Sequence, residues 1–179
     1  MESFLTHVPE GTAWYYIIMM GGAAVMIASA FHPKVRKMRW YWGITAMTVA
    51  IIFWGCHFVY SQEHASVTVT YGESLRVKAG AGAPDLRWSE IDQGAIRRID
   101  WQTDAALAPV KRDFGTGFPG FAAGWFTLRN DEKAFVIMVR DAPEGSDVLI
   151  PVQETEGDSY QMILSLQDPQ GFLDYMQQK

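Results

Sequence analysis

The chain has 179 residues, 49% of them hydrophobic, and a formal net charge of −5. That length supports one domain with a real core, and the acidic balance excludes attraction to nucleic acid by the overall field. A single cysteine, Cys56, excludes a disulfide framework and a cysteine-built metal site.

The chain opens with two uncharged apolar runs, Trp14–Phe31 and Trp40–Tyr60, separated by His32-Pro33-Lys34-Val35-Arg36-Lys37-Met38-Arg39. A bilayer-crossing helix needs about 20 apolar residues, so both runs read as transmembrane helices. The loop between them (32–39) carries four Lys/Arg and no acid, and short basic loops stay on the cytoplasmic side. The expected topology is therefore a hairpin in the cytoplasmic (inner) membrane. Its loop is inside and both termini are outside, periplasmic or extracellular. Ala28-Ser29-Ala30 looks like a signal-peptidase site, but the first 13 residues hold Glu2 and Glu10 and no Lys or Arg. A signal peptide needs a basic start, so the run reads as a retained helix.

Aromatic residues mark the span edges: Trp14, Tyr15, Tyr16, Trp40, Tyr41, Trp42 and Tyr60. Small residues recur at matching spacing, Gly21, Ala24 and Ala28 on the first helix and Gly43, Ala46 and Ala50 on the second. Such stripes let backbones approach in lipid. They serve either to pack the two helices together or to seat another membrane protein. His57 lies three residues from the outer edge with no intramembrane acid or second histidine to complete a relay, and reads as structural. Cys56 reads as a small apolar filler.

Residues 1–63 are thus the hairpin unit and 64–179 a second domain. Residues 61–179 hold eleven Lys/Arg and eighteen Asp/Glu, a net −7. Arg97, Arg98, Lys111 and Arg112 are the nearest thing to a basic patch and read as a solvated face. The pattern changes to period two at Ser66–Tyr71 and Leu75–Ala79, and strands are expected there. Ala95–Trp101, Gly124–Leu128, Ala134–Val139, Asp147–Val152 and Tyr160–Leu164 follow, with a polar hairpin loop at Arg129–Lys133. About seven strands with turns between them predict an antiparallel sandwich or barrel. Asp168 as N-cap, Pro169 at the first helical position, and apolar Phe172, Leu173 and Met176 predict a closing helix over about 168–177.

Gly115-Thr116-Gly117-Phe118-Pro119-Gly120 matches G-x-G-x-x-G. The dinucleotide fingerprint needs a buried strand before it and a helix after it. Here the preceding Ala108–Asp113 is charged and proline-broken, and a strand follows, so nucleotide binding is excluded. The segment reads as a glycine-rich crossing whose aromatics cap the core. Its alternative use is contact with lipid, peptide or partner through Phe118, Phe121 and Trp125.

The run Arg112–Leu128, with its Gly-Thr-Gly, Pro-Gly and Gly-Trp-Phe steps, resembles a motif of a bacterial pleckstrin-homology-like (PH-like) domain family. The ending Ser165–Leu173, with Asp168-Pro169 and an early Phe172, is also similar. The resemblance covers about 66–177 and implies a PH-like barrel closed by a C-terminal helix. It implies no catalytic residues.

No histidine pair stands at metal spacing, no serine lies in a G-x-S-x-G elbow, and the acids Glu154, Glu156 and Asp158 match no EF-hand. No catalytic, cofactor or metal site is expected. The expected function is that of a membrane-anchored, non-catalytic binding or scaffold protein that engages a protein partner or envelope ligand on the outer face. Homo-oligomers are compatible with it. The alternative is a small accessory subunit of a membrane complex, docked through the two small-residue stripes.

Overall fold

A computed structural model describes residues 2–8, 13–32, 38–63, 66–70, 74–78, 83–118, 120–153 and 159–177. Two units result, one of residues 10–61 and one of residues 1–9 with 62–179. A strand ahead of the helices, β1 (Glu2–Leu5), belongs to the second unit.

In the helical unit, α1 spans Ala13–Ala30 and α2 spans Arg39–Glu63. Both are long and apolar enough to cross a membrane and are mostly exposed along their length. The 33–37 part of the expected basic loop lies outside the described residues. Most of the less exposed positions follow a seven-residue repeat, Tyr16, Met19, Ala23, Met26 and Ala30 on α1 against Tyr41, Thr45, Thr48, Ile52, Gly55 and Val59 on α2. This is the period of a two-helix seam. The Ser29 and Tyr41 hydroxyls meet at 2.7 Å, Phe31 and Trp42 pack edge-on at 5.5 Å, and Cys56 Sγ lies 4.0 Å from Met19 Sδ. A Cβ on Gly55 would come within 3.2 Å of the Met19 methyl, which is why a glycine suits that crossing.

The other unit continues with β2 (Ser66–Thr70), β3 (Ser74–Lys78), β4 (Asp85–Arg87), β5 (Arg97–Arg98), β6 (Pro109–Phe118), β7 (Phe121–Leu128), β8 (Lys133–Val139), β9 (Asp147–Gln153), β10 (Ser159–Ser165) and the helix α3 (Pro169–Gln177). β1–β4 form an antiparallel sheet in sequence order; β5–β10 form a second sheet in the order β5-β9-β10-β8-β7-β6. One pairing in it is parallel, β8 with β10, because β10 is wedged between β8 and β9. Single bridges, Thr6 to Leu166 and Ile91 to Val152, join the two sheets at their corners. The expected barrel is therefore corrected: the described strands make two open sheets stitched at two points, not one closed cylinder.

The main core lies between the sheets and under α3, and includes Leu75, Val77, Phe135, Ile137, Ile150, Met162, Leu164 and Phe172. The alternation of β3, with Leu75 and Val77 inward and Arg76 and Lys78 outward, is that of a one-sided sheet. By contrast β8 (Lys-Ala-Phe-Val-Ile-Met-Val) is a nearly continuous apolar run, and both faces of its sheet are covered. Its second face carries Ile99, Phe126, Leu128, Val136 and Ile163 under Trp101 and Leu107. Of the expected strand over 95–101, Arg97–Arg98 form β5 and the Ile99 N–H still reaches Asp147 O at 2.9 Å, but Asp100 starts a turn and ends the pairing. Asp168 caps α3 as expected, its carboxylate accepting the Gly171 N–H at 2.8 Å.

The charged, proline-broken stretch Ala108–Asp113 is, from Pro109 on, the first half of β6. Pro109 is tolerated because it opens an edge strand, and bulges near Val110 and Asp113 absorb the irregularity. Of the glycine motif, residues 115–118 are the end of the same strand. Gly115 and Gly124 face each other across β6 and β7 with φ of 133° and 131°. A Cβ on either would stand 2.2 to 2.3 Å from the carbonyl oxygen of the opposite strand. Two glycines let the backbones meet and coil there.

Candidate functional site

Two of the three sequence-derived aromatic candidates, Phe121 and Trp125, go to the core. Phe121 is 4% exposed, and Trp125 packs edge-on against Phe135 at 5.5 Å and Tyr160 at 4.9 Å. Phe118 ends β6 and its side chain lies outside the described residues. Among the described residues, the large apolar side chains that this hairpin offers to solvent are Val110 and Phe114. Their signal in the sequence was the polar-apolar alternation of an edge strand, hidden by the two bulges.

The small-residue candidates have the opposite fate. Gly21, Ala24 and Ala28, and Gly43, Ala46 and Ala50, are all exposed, and no atom beyond the helices' own backbone lies within 4 Å of a Cβ built on Gly21 or Gly43. At about 100° per residue both stripes fall roughly opposite the seam. The helices therefore meet through other residues, and the stripes face outward.

The basic patch dissolves into local pairs. Arg97 forks onto Asp104 at 2.6 and 2.7 Å, Arg98 donates to Gln170 at 2.9 Å, and Lys111 lies 3.3 Å from Asp113. Arg97 holds the Asp104 carboxyl below its ordinary range, and Asp104 in turn raises the Arg97 guanidinium. The Thr127 hydroxyl, then Lys111, lower Asp113. Arg112 lies along β6 with its guanidinium over Gly117. Glu154, Glu156, Asp158 and His64 lie outside the described residues, and among the described ones no three His, Cys, Asp or Glu stand together for a metal.

A concave site was missed by the sequence reading. The crossover segment from Arg140 to Ser146 carries the chain over the end of β10, and a cavity of about 350 Å³ opens beside it. Trp101, Pro109, Met138, Arg140, Glu144 and Asp147 are among its walls. A smaller cavity of about 260 Å³ shares Trp101, Glu144 and Gly145 with it. Its walls are pinned. Trp101 Nε1 donates to Asp147 Oδ2 at 2.6 Å, and the Ser165 hydroxyl donates to the other Asp147 oxygen and accepts the Val139 N–H at 3.1 Å. Ser165 itself is fully buried. Ser146 N–H reaches Pro143 O at 3.1 Å, Arg140 N–H reaches Gly120 O at 2.9 Å, and Gly145 takes φ 80° to close the turn. Wall residues this far apart in the sequence carry no local motif, which is why periodicity did not reveal them.

No family model, curated protein or solved structure matches this chain.

Proposed function

We propose that the chain is a membrane-anchored binding protein. α1 and α2 cross the cytoplasmic membrane as a hairpin, and the β unit is a non-catalytic module that engages a protein or envelope ligand on the outer face. The observation that carries this reading is the pairing of β1 with β2, in register from Glu2 opposite Val69 to Leu5 opposite Ser66. Segments flanking the two helices share one sheet, which supports an even number of crossings with both flanks on one side. The basic loop supplies the direction. The PH-like resemblance stays part of the proposal, supported by the docked α3 with its buried Phe172 and by the two stitched sheets.

Thiol labelling in a Cys56→Ala background tests the topology. Asn130→Cys should react with an impermeant reagent in intact cells and Lys37→Cys only after lysis. The reverse pattern, or labelling of both in intact cells, overturns the reading.

A second reading, docking of the hairpin onto another membrane protein, is favoured by the outward exposure of all six stripe residues. Gly21→Leu and Gly43→Leu should then abolish crosslinked recovery of that protein while Phe114→Ser leaves it intact. The opposite result assigns recognition to the β unit.

A further inference from the structure

The open cleft beside Trp101 has two features of a small-molecule site, largely apolar walls and a few polar groups. The polar groups are not equivalent. Asp147 is committed on both oxygens, to Trp101 and Ser165. In the smaller neighbouring cavity, Asp100 accepts from the Gln102 N–H, and Arg98 is bound to Gln170. Two charged walls remain, Arg140 and Glu144. They line the same cavity, yet neither side chain forms an ion pair or hydrogen bond among the described residues, not even with the other. One cation and one anion, unpaired among the described residues, thus line the cavity together with apolar Pro109, Met138 and Val139.

We infer that this cleft binds a small zwitterion with an apolar body, of the free amino acid or dipeptide class. A ligand carboxylate meets the Arg140 guanidinium and a ligand ammonium meets Glu144. The apolar body lies on Met138 and Pro109 against the Trp101 ring. Arg suits the carboxylate end because its planar fork matches carboxylate geometry. The volume, about 350 Å³, is at the low end for ligand pockets and suits one or two residues rather than a folded partner. The inference rests on the reading of the β unit as a binding module, and names its ligand class.

Saturation-transfer NMR on the full chain in nanodiscs tests it, with leucine, Leu-Leu, N-acetyl-leucine and leucinamide as probes. Leucine or Leu-Leu should bind saturably, and which of them binds tighter identifies the source. N-acetyl-leucine, lacking the ammonium, and leucinamide, lacking the carboxylate, should bind about tenfold more weakly, as should free ligand to Arg140→Gln or Glu144→Gln. Both sites are exposed, so these variants keep the fold, which the melting temperature checks. The exchanged double variant R140E/E144R should recover binding, because a zwitterion can turn around. Failure of all four probes to bind the wild type overturns the inference, as does equal binding of blocked and free probes. Crosslinked recovery with Phe114→Ser against Gly21→Leu and Gly43→Leu is read independently, so such a failure is distinct from a failure of the binding-module reading.

Discussion

The indole N–H of Trp101 donates to the Asp147 carboxylate at 2.6 Å, while the other oxygen of Asp147 takes the Ser165 hydroxyl. Ser165 also receives the Val139 N–H. Four segments meet at this point: the end of β8, the start of β9, the end of β10 and the turn that covers the second face of the sheet. A strand wedged between two others needs such a pin, because no hairpin holds β8 beside β10. Ser165→Ala leaves the Val139 N–H and one Asp147 oxygen without their partner in a buried place. The expected loss is about 1–3 kcal/mol of stability, whereas Trp101→Phe, which keeps most of the packing, costs about 1 kcal/mol. Chemical unfolding checks the size, and amide exchange at Val139 checks the location.

Gly124→Ala should be among the most damaging single substitutions in the β unit. Its φ of 131° is unfavourable for any side chain, and the new methyl would meet the Phe114 carbonyl at 2.3 Å. Backbone strain and steric conflict together cost about 3 kcal/mol or more. Gly117→Ala is the control. It would meet only the end of the Arg112 side chain, which can swing aside, and its cost should stay below about 1 kcal/mol. Melting temperatures of the two variants separate local strain from a general intolerance of alanine in β6 and β7.

Phe4 connects β1 to α3, with ring centroids 5.2 Å from Phe172 and 5.8 Å from Tyr175. Phe4→Ala should cost about 2 kcal/mol, less than for a fully buried ring because Phe4 is half-buried. Leu5→Ser, at a side chain 55% exposed, should be within about 0.5 kcal/mol of wild type. Hydrogen exchange in β2 should speed up for the first variant and not for the second.

Acid should weaken the Arg97–Asp104 link in a defined direction. Asp104 titrates below its ordinary value in the folded chain, chiefly because Arg97 hydrogen-bonds its charged form. The folded state therefore binds fewer protons than the unfolded state. Its contribution is complete above the unfolded carboxyl value of about 3.9 and is withdrawn as pH falls through the lower folded value. Asp104→Asn should be less stable than wild type at neutral pH, and the gap should narrow as pH falls below about 4. Urea midpoints across an acid series give the comparison. A constant gap would mean that packing at Asp104, not its charge, sets the difference.

Elements with one dominant local signal were legible in the sequence. Both helices followed from uncharged runs, α3 from Asp168-Pro169 and its apolar face, and β3 from the alternation of Leu75 and Val77. What escaped depended on distant partners. Glu2–Leu5 is too short to read as a strand until β2 is seen beside it. The strand character of 109–118 was masked by Pro109 and two bulges. The sheets stayed open because their corners close through the single bridges Thr6–Leu166 and Ile91–Val152, which no run of residues specifies. Spacing identified the small residues of the spans but not their direction. The seam uses Ala23, Ala30 and Thr45, so the more regular stripes turn outward. The cleft beside Trp101 combines residues from three separate stretches, and only the fold assembles it.

The early strand also imposes an order on biosynthesis. Glu2–Leu5 leaves the ribosome before either helix, but its mate, β2, is made only after both. On the membrane reading, β1 must wait on the far side of the bilayer until the second helix has returned the chain there. A chain whose insertion stalls after one crossing would leave its edge strand and its sheet in different compartments, visible to the quality-control proteases of each. Completion of this small sheet would thus report that the anchor has been threaded correctly.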